Sequence, residues 1–468
     1  MPDFPAQLLA QWTGGRWTTL PLAPLAGFTV DTRQLRAGQV FVAIKTEKRD
    51  GHDFLAVAEA AGASAAIVAA PNRALALPQL VVADPLAAFQ TIAREQRRAF
   101  RGPVVGISGS AGKTSTKDLL SLLLGGESGG VLATEGNLNN HLGVPLTLTR
   151  LDPARHRFAV VEAGIGAPGE MKPLADMIEP DVSLITLVAP AHTAELGGIE
   201  GVAREKAVLP AATRASGVAI FSRQVAEFAA FRELGVGTMV VERADVIRPA
   251  APPKDTVYFT VTQRGDATAV ALAYGTPPPL TFTFRRVSDG MAQNAALAIC
   301  AALWLGVARE AIQSRLAAWQ PAKLRGEIRR ENGRLLYLDC YNANPASMSD
   351  ALAAFEELAP ADAPRLFVLG CMEELGAEAA SHHRALGRAL TLREGDRVFA
   401  IGAHAAEIEA GVEERGRRPA SVQVVSSLDP IAAGLAEWRG AVFVKGSRRY
   451  QLEKILEAQP VPAEATSC

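Results

Sequence analysis

The fold of the middle of the chain is decided by VVGISGSAGKTSTK, Val104 to Lys117, where an apolar strand runs through a glycine-rich turn into a helix. Glycines let the backbone approach a phosphate closely, and the helix N-terminus offers free N–H donors. Lys113 adds a positive charge, and the hydroxyl of Thr114 is suited to binding Mg²⁺. The order of strand, loop and helix therefore predicts a nucleotide phosphate site.

This loop is a variant of the strict P-loop, which has glycine at the position of Ile107. The match is to the shorter form SGSAGKTS. The residues predicted to contact the nucleotide are Gly109, Ser110, Ala111, Gly112, Lys113, Thr114 and Ser115. A phosphate loop alone indicates a nucleotide but no particular reaction, because switch proteins, kinases and ligases all use one.

Outward from this loop, the chain divides into three α/β segments. Short apolar runs and an alanine-rich helix predict a small α/β domain over residues 1–100. Alternating strands and helices predict a P-loop ATPase-type parallel sheet over 101–321, with an antiparallel excursion near 255–286. A second series of apolar strands predicts a Rossmann-like C-terminal domain over 322–468.

Composition excludes several classes of partner. The 468 residues include 48 basic and 49 acidic side chains, so the formal charge of -1 gives no electrostatic case for nucleic acid or an anionic membrane. The first residues lack a basic signal region, and the longest apolar stretch, Ala295 to Ala308, is shorter than the roughly 18 residues of a membrane span. Four cysteines without metal-ligand spacing favour a reducing, cytoplasmic compartment. We expect no membrane insertion and a monomer.

Further motifs give the loop a family. The variant GxxGxxGKTS loop resembles that of the Mur ligase and folylpolyglutamate synthetase superfamily, and other family motifs follow in the family's order. They are NLNNHLGVP (137–145), VVEAGIGAPGEM (160–171), PAH (190–192), GVAREK (201–206) and LDCYNANPASM (338–348). DTRQLRAGQVFVAIK, DGHDF, NLNN, YNANP, LGCMEELG and VKGSRRYQLE resemble the family member that ligates D-alanyl-D-alanine.

This resemblance implies an ATP-dependent reaction in peptidoglycan precursor synthesis. A UDP-N-acetylmuramoyl-tripeptide would be activated as an acyl-phosphate and joined to D-alanyl-D-alanine, with ATP and Mg²⁺ as cofactors. Two alternatives remain. One is an amide ligase for a single amino acid or glutamate, and the other is a nucleotide-dependent switch or binding protein. The third residue of the tripeptide, diaminopimelate or lysine, stays open.

Four residues are predicted to be catalytic: Lys113, Glu162, His192 and Lys206. Glu162 ends an apolar strand, where parallel sheets present ligands, so its carboxylate would hold a divalent cation. The resemblance implies that His192 helps to bind a second Mg²⁺ and that Lys206 is carbamylated into an anionic metal bridge. The predicted metal-binding residues are thus Thr114, Glu162, His192 and Lys206. By composition alone, His192 would be structural and Lys206 a solvated helix lysine.

The resemblance also implies nucleotide and substrate contacts. Asn294 would contact adenine, and Asp339 and Arg325 would also bind the nucleotide, Asp339 at the ribose. Relatives usually have a His-Asn pair where this chain has Gly290 and Met291. The residues assigned to substrates are Asp31, Thr32, Arg33, Asp50, Gly51, Asn137, Asn139, Asn140, Tyr341, Asn342, Asn344, Lys445, Ser447 and Arg448. Each of three sites also has a purely structural interpretation. These are an Asx turn at Asp339, a proline-terminated turn at YNANP and a helix cap at Ser447.

Overall fold

The computed structural model describes residues 2–457 apart from 192, 246–254, 275–277, 332 and 417–420. Three β-sheets follow one another along the chain, and helices alternate with their strands. This confirms the predicted α/β fold class. Among the described residues, no helix is both long and apolar enough to cross a bilayer. Cys300, Cys340 and Cys371 are buried free thiols, whereas Cys468 lies outside the described residues.

The N-terminal sheet has the order β1-β5-β4-β3-β2, in which only the β1–β5 pair is antiparallel. Its strands are β1 (Arg16–Trp17), β2 (Phe28–Thr29), β3 (Val40–Val42), β4 (Ala65–Val68) and β5 (Gln79–Val81). Its helices are α1 (Ala6–Thr13), α2 (Leu55–Ala60) and α3 (Pro85–Ala99). Helix α3 begins sharply because the Asp84 side chain accepts hydrogen bonds from two backbone N–H groups of its first turn.

Helix α3 also joins this part of the chain to the next. The fully buried Arg97 donates to the Asp181 carboxylate at 2.8 Å and to the Ile178 carbonyl at 2.8 Å. Burial lowers the pKa of Arg97 to about 10, against the opposing effect of Asp181. The buried guanidinium therefore has partners of opposite charge or polarity, as burial of a cation requires.

The central sheet has the order β14-β13-β12-β11-β10-β9-β6-β8-β7. Its strands are β6 (Val104–Ser108), β7 (Val131–Ala133), β8 (Phe158–Glu162), β9 (Val182–Ile185), β10 (Val218–Ser222), β11 (Gly237–Arg243), β12 (Thr256–Arg264), β13 (Ala267–Leu272) and β14 (Leu280–Arg285). Its helices are α4 (Lys113–Leu124), α5 (Gly143–Leu148), α6 (Met171–Ile178), α7 (Thr193–Leu196), α8 (Ile199–Ala211), α9 (Arg223–Ala226), α10 (Ala229–Arg232), α11 (Asp289–Trp304) and α12 (Arg309–Ala318).

Two features of the central sheet were predicted and are confirmed. Strands β6 to β12 are all parallel to their neighbours on that side of the sheet. Strands β12, β13 and β14 form the antiparallel excursion. Most of α11 comes from the apolar stretch that begins at Ala295, and residues 295–302 of this helix are all fully buried. Strand β6 lies between β8 and β9, so the phosphate loop emerges from the middle of the sheet with Glu162 at the end of its neighbour.

The C-terminal sheet has the order β15-β16-β20-β17-β18-β19 and is parallel apart from the β15–β16 pair. Its strands are β15 (Glu327–Glu331), β16 (Arg334–Asp339), β17 (Arg365–Gly370), β18 (Arg397–Ile401), β19 (Ser421–Val425) and β20 (Ala441–Lys445). Its helices are α13 (Pro345–Leu358), α14 (Ala379–Ala389), α15 (Ala405–Glu413), α16 (Asp429–Glu437) and α17 (Lys454–Glu457). The adjacent strands β16 and β20 end at Asp339 and Lys445, which brings these two residues together.

Candidate active site

A cleft of about 710 Å³ lies between the phosphate loop, α11 and the C-terminal domain. The sequence-predicted residues that line it are Ser110, Ala111, Gly112, Lys113, Thr114, Ser115, Asn137, Asn139, Glu162, Asn294, Arg325, Asp339, Tyr341, Asn342, Asn344, Lys445, Ser447 and Arg448. Most of the predicted nucleotide and substrate residues thus share one cavity, although they are separated by up to several hundred positions in the chain.

The phosphate loop is held in a defined shape before any ligand enters. Ser110 donates from its hydroxyl to the Ala189 carbonyl at 2.8 Å, and Lys113 Nζ donates to the Gly109 carbonyl at 2.8 Å. Gly112 has φ +77°, and a Cβ there would collide with the side chain of Asn294 on α11. Burial lowers the pKa of Lys113, while the nearby Glu162 opposes that shift. The loop is therefore a preorganised anion site with one half-buried amine.

Glu162 presents one carboxylate oxygen without a protein partner. Its Oε1 accepts from Asn139 Nδ2 at 2.8 Å, and its backbone N–H donates to the Thr134 hydroxyl at 2.9 Å. Its Oε2 is buried and has no hydrogen-bond partner within the part of the chain that the structure describes. Buried polar atoms normally have a partner, so an oxygen without one indicates the place of a missing ion or water. A carboxylate oxygen is a hard ligand and suits a hard divalent cation.

Lys206 is buried in α8 and is not among the residues that line the cleft. Burial lowers the pKa of its amine well below the usual range, and the charge of Lys113 contributes in the same direction. The solvated-lysine alternative is therefore wrong. His192 lies outside the described residues, and elsewhere no group of three His, Cys, Asp or Glu residues suited to a metal is present in the described chain.

On the opposite wall, Asp339 and Lys445 form a pair at the ends of neighbouring strands. Lys445 Nζ lies 2.5 Å from Asp339 Oδ2 and 3.3 Å from the Asn342 carbonyl, with its side chain almost completely buried. Burial raises the pKa of Asp339, and Lys445 opposes this. Arg325 lies over the ring of Tyr341, with its guanidinium carbon 3.9 Å from the ring centroid. These contacts fix the wall on which the YNANP motif begins.

The polar side chains of the YNANP and VKGSR motifs also have local structural roles. Asn344 is the N-cap of α13, where its Oδ1 accepts from Ser347 N at 2.9 Å. Its Nδ2 donates to the Ser110 carbonyl at 3.2 Å, a link to the phosphate loop that sequence reasoning did not find. Ser447 caps a short 3₁₀ helix, as its purely structural interpretation predicted, and Arg448 pairs with Glu453.

Comparison with known proteins identifies this architecture. Family models described as Mur ligase family, catalytic domain, Mur ligase middle domain, and Mur ligase, glutamate ligase domain match residues 24–97, 107–240 and 324–448. The UDP-N-acetylmuramoyl-tripeptide–D-alanyl-D-alanine ligase of Escherichia coli (strain K12) is 33% identical over 441 residues, 93% of each chain. The chain belongs to the Mur ligase family. The enzyme of the same name from Bacillus subtilis (strain 168) is 30% identical, covering 92% of each chain.

Solved structures of Mur ligases agree with this membership. A crystal structure of MurF from Acinetobacter baumannii superposes with a TM-score of 0.85 and 28% identity over 98% of both chains. The MurF ligase of Thermotoga maritima, solved in complex with ADP, superposes with a TM-score of 0.77 and 25% identity over 92% of this chain and 96% of that one.

The N-terminal residues assigned to substrate lie outside the cleft of this Mur ligase. Asp31 caps the 3₁₀ helix that contains Thr32 and Arg33, and its carboxylate lies 2.6 Å from the Arg33 guanidinium, which lowers the pKa of Asp31. Asp50 caps the 3₁₀ helix that begins at Gly51, and it contacts His52 Nδ1 at 2.6 Å. Both groups belong to the N-terminal domain.

Asn140 borders a second cavity rather than the main cleft. Its side chain accepts from Leu142 N and Gly143 N at the start of α5. The cavity, of about 290 Å³, is lined in part by Gly164 and Glu170. The Asn140 side chain therefore forms an Asx turn just before α5.

Sequence reasoning missed three acidic residues that line the Mur ligase cleft: Asp350, Glu373 and Glu374. Asp350 accepts on Oδ1 from the backbone N–H of Gly290 at 2.7 Å. Burial raises its pKa, against the opposing hydrogen bonds of Ser288 and Gly290. The one sequence signal was the departure from the family pattern at Gly290.

Proposed function

We propose that this Mur ligase joins D-alanyl-D-alanine to UDP-N-acetylmuramoyl-tripeptide, with conversion of ATP to ADP and phosphate. The single observation that carries the proposal is the shared cleft, in which the phosphate loop, Glu162 and the YNANP motif face one another. The relatives that span nearly all of the chain have this activity as their name.

The reaction has two steps. The terminal carboxylate of the tripeptide attacks the γ-phosphorus of ATP, which forms an acyl-phosphate and releases ADP. The amine of the dipeptide then attacks the acyl carbon and displaces phosphate, and the amide forms as a proton leaves the nitrogen. Two anions meet in the first step, so Lys113 and the loop N–H groups stabilise the charge of the transferred phosphoryl group.

Glu162 and Thr114 would hold Mg²⁺ beside the phosphates, since both supply hard oxygen atoms and Glu162 Oε2 is unpaired. When bound, the ion would neutralise phosphate charge. Lys206 as a carbamate, together with His192, would hold a second Mg²⁺. The suppressed basicity of the Lys206 amine supports this, because only a neutral amine forms a carbamate.

The remaining site residues have proposed roles along the cleft and beyond it. Asn294, Arg325 and Asp339 would bind the adenosine part of ATP. Asn137, Asn139, Tyr341, Asn342, Asn344, Lys445, Ser447 and Arg448 would bind the peptide substrates within the cleft. Asp31, Thr32, Arg33, Asp50, Gly51 and Asn140 would serve the UDP-sugar end. The three domains are proposed as residues 1–100, 101–321 and 322–468 of a cytoplasmic monomer, since ATP and UDP-linked precursors are cytoplasmic.

Substrate dependence tests the proposed function. Phosphate release from ATP should require UDP-N-acetylmuramoyl-tripeptide and should rise strongly with D-alanyl-D-alanine, because the acyl-phosphate persists until an amine consumes it. Free D-alanine, L-lysine or L-glutamate should have little effect. A coupled phosphate assay with each acceptor measures this. Equal stimulation by a single amino acid would identify a different amide ligase, and turnover without any acceptor would favour a nucleotide switch.

Asn139 should set the Mg²⁺ requirement. Its amide fixes Glu162 Oε1 and leaves Oε2 for the ion, so Asn139→Ala should raise the half-saturating Mg²⁺ concentration by about 10- to 100-fold. Mg²⁺ titration of ligation at fixed ATP gives the value. Excess Mg²⁺ should restore most of the rate. An unchanged Mg²⁺ requirement would contradict the assignment of Glu162 as a ligand.

A further inference from the structure

Helix α13 of the C-terminal domain contacts the central domain at two places along the cleft. At its start, Asn344 donates to the Ser110 carbonyl in the phosphate loop. Six residues later, Asp350 accepts a 2.7 Å hydrogen bond from Gly290 N in the first turn of α11. A carboxylate of one domain thus satisfies a backbone donor of a helix in another.

The contact at α11 is physically favourable. The first N–H groups of a helix have no partner within the helix, and an anion near them is stabilised by the helix dipole. Ser288, the N-cap, already accepts from Met291 N at 3.2 Å. Asp350 supplies an acceptor for the N–H of Gly290, and hydrogen bonds to an ionised acceptor are stronger than neutral ones.

Glycine at position 290 is what makes room for this carboxylate. A Cβ at Gly290 would lie 2.7 Å from Asp350 Oδ2 and 2.9 Å from its Cγ, closer than such atoms can pack. A side chain at position 290 and the Asp350 carboxylate would therefore occupy the same space.

Helix α11 also reaches the phosphate loop. Asn294 lies four residues after Gly290, which places both on one face of α11. The Asn294 side chain packs against Gly112 in the loop. Moving the start of α11 away from α13 would therefore shift Asn294 relative to the phosphate loop, at the nucleotide end of the cleft.

We propose that Asp350 is a positioning residue that couples nucleotide binding to docking of the C-terminal domain. It holds α13 against the first turn of α11 and so keeps Asn294 against the loop. The inference rests on the proposed ATP-dependent function. Without Asp350, the docked arrangement becomes a smaller fraction of the population, and the apparent Kd for ATP rises by that factor.

Titration calorimetry with a non-hydrolysable ATP analogue tests the coupling. Asp350→Ala should raise the Kd about tenfold, and the KM for ATP similarly, while kcat at saturating ATP changes by less than about threefold. Asp350→Asn, which retains an acceptor oxygen, should recover part of the loss. Glu357→Gln is the matched control, since Glu357 lies on the same helix and makes an exposed 2.9 Å ion pair with Arg286 of the central domain. Its Kd should stay unchanged.

A double-mutant cycle separates this role from general destabilisation. Gly290→Ala should weaken analogue binding about as much as Asp350→Ala, because the methyl group pushes the carboxylate away. In a protein that already carries Asp350→Ala, Gly290→Ala should raise the Kd for the analogue by less than about twofold more. The inference would be overturned if the double variant's rise in Kd equalled the product of the two single rises. A Kd within twofold of wild type for both single variants would also overturn it. If Asp350→Ala fails to fold, Gly290→Ala and Asp350→Asn carry the test. Failure of wild type to ligate the dipeptide would refute the proposed function alone, because the cycle measures only analogue binding.

Discussion

Lys113→Ala is expected to give a folded protein whose ligation rate is lower by about a thousandfold. Lys113 is half-buried in the cleft, and its amine donates to the Gly109 carbonyl at 2.8 Å, in the loop that would surround the phosphates of ATP. Its loss leaves two anions, a carboxylate and a γ-phosphate, without their neutralising partner during transfer. Single-turnover formation of ADP measures the step directly.

Lys117 offers a control on the same helix. It is buried, but its Nζ donates to the Thr134 carbonyl at 2.7 Å and does not line the cleft. Lys117→Met should lower the thermal stability but leave turnover per folded molecule within a few-fold of wild type. Near-normal turnover by folded Lys113→Ala would remove this lysine from the phosphate site.

Much of the fold could be predicted because each element has a local signal. The strand at Val104–Ser108, the helix after it and the antiparallel excursion appear where apolar periodicity and turn residues indicate. Position at the carboxyl end of a strand pointed to Glu162, which lines the cleft, and Asp339, assigned through the family resemblance, lines it as well. These inferences need only neighbouring residues and the general geometry of parallel sheets.

The contacts between distant residues could not be predicted from one sequence. Asn344 is 234 positions from the phosphate loop that it touches, and Asp350 is 60 positions from Gly290. Neither pair has a spacing that marks it, because docking of one domain on another sets the distance. Lys445 was likewise assigned to substrate, and its contact with Asp339, which the pairing of β16 with β20 brings about, was not predicted.

The environment of Lys206 is the strongest structural argument for an unusual chemical state. A buried ammonium is costly, so burial and the charge of Lys113 favour the neutral amine, against the opposing charge of Glu205. A neutral amine can attack CO₂: an N–C bond forms, a proton leaves the nitrogen, and a carbamate anion results. The side chain would then attract Mg²⁺ as an anion, whereas an ammonium group would repel the ion.

Lys206→Ala should therefore lose about a thousandfold in ligation rate, since a catalytic cation supplies several kcal/mol of charge stabilisation and each 1.36 kcal/mol is a factor of ten. A short carboxylic acid added to this variant should restore part of the rate, because its carboxylate can occupy the space of the carbamate. Lys206→Arg, which keeps a cation but forms no such carbamate, should stay inactive. Arg204→Ala, at an exposed position of the same helix, is the control and should match wild type. Steady-state rates with and without acetate and bicarbonate give the comparison. Full activity of Lys206→Arg, or of wild type after removal of CO₂ with an unmodified lysine confirmed by mass spectrometry, would show that the carbamate is not needed.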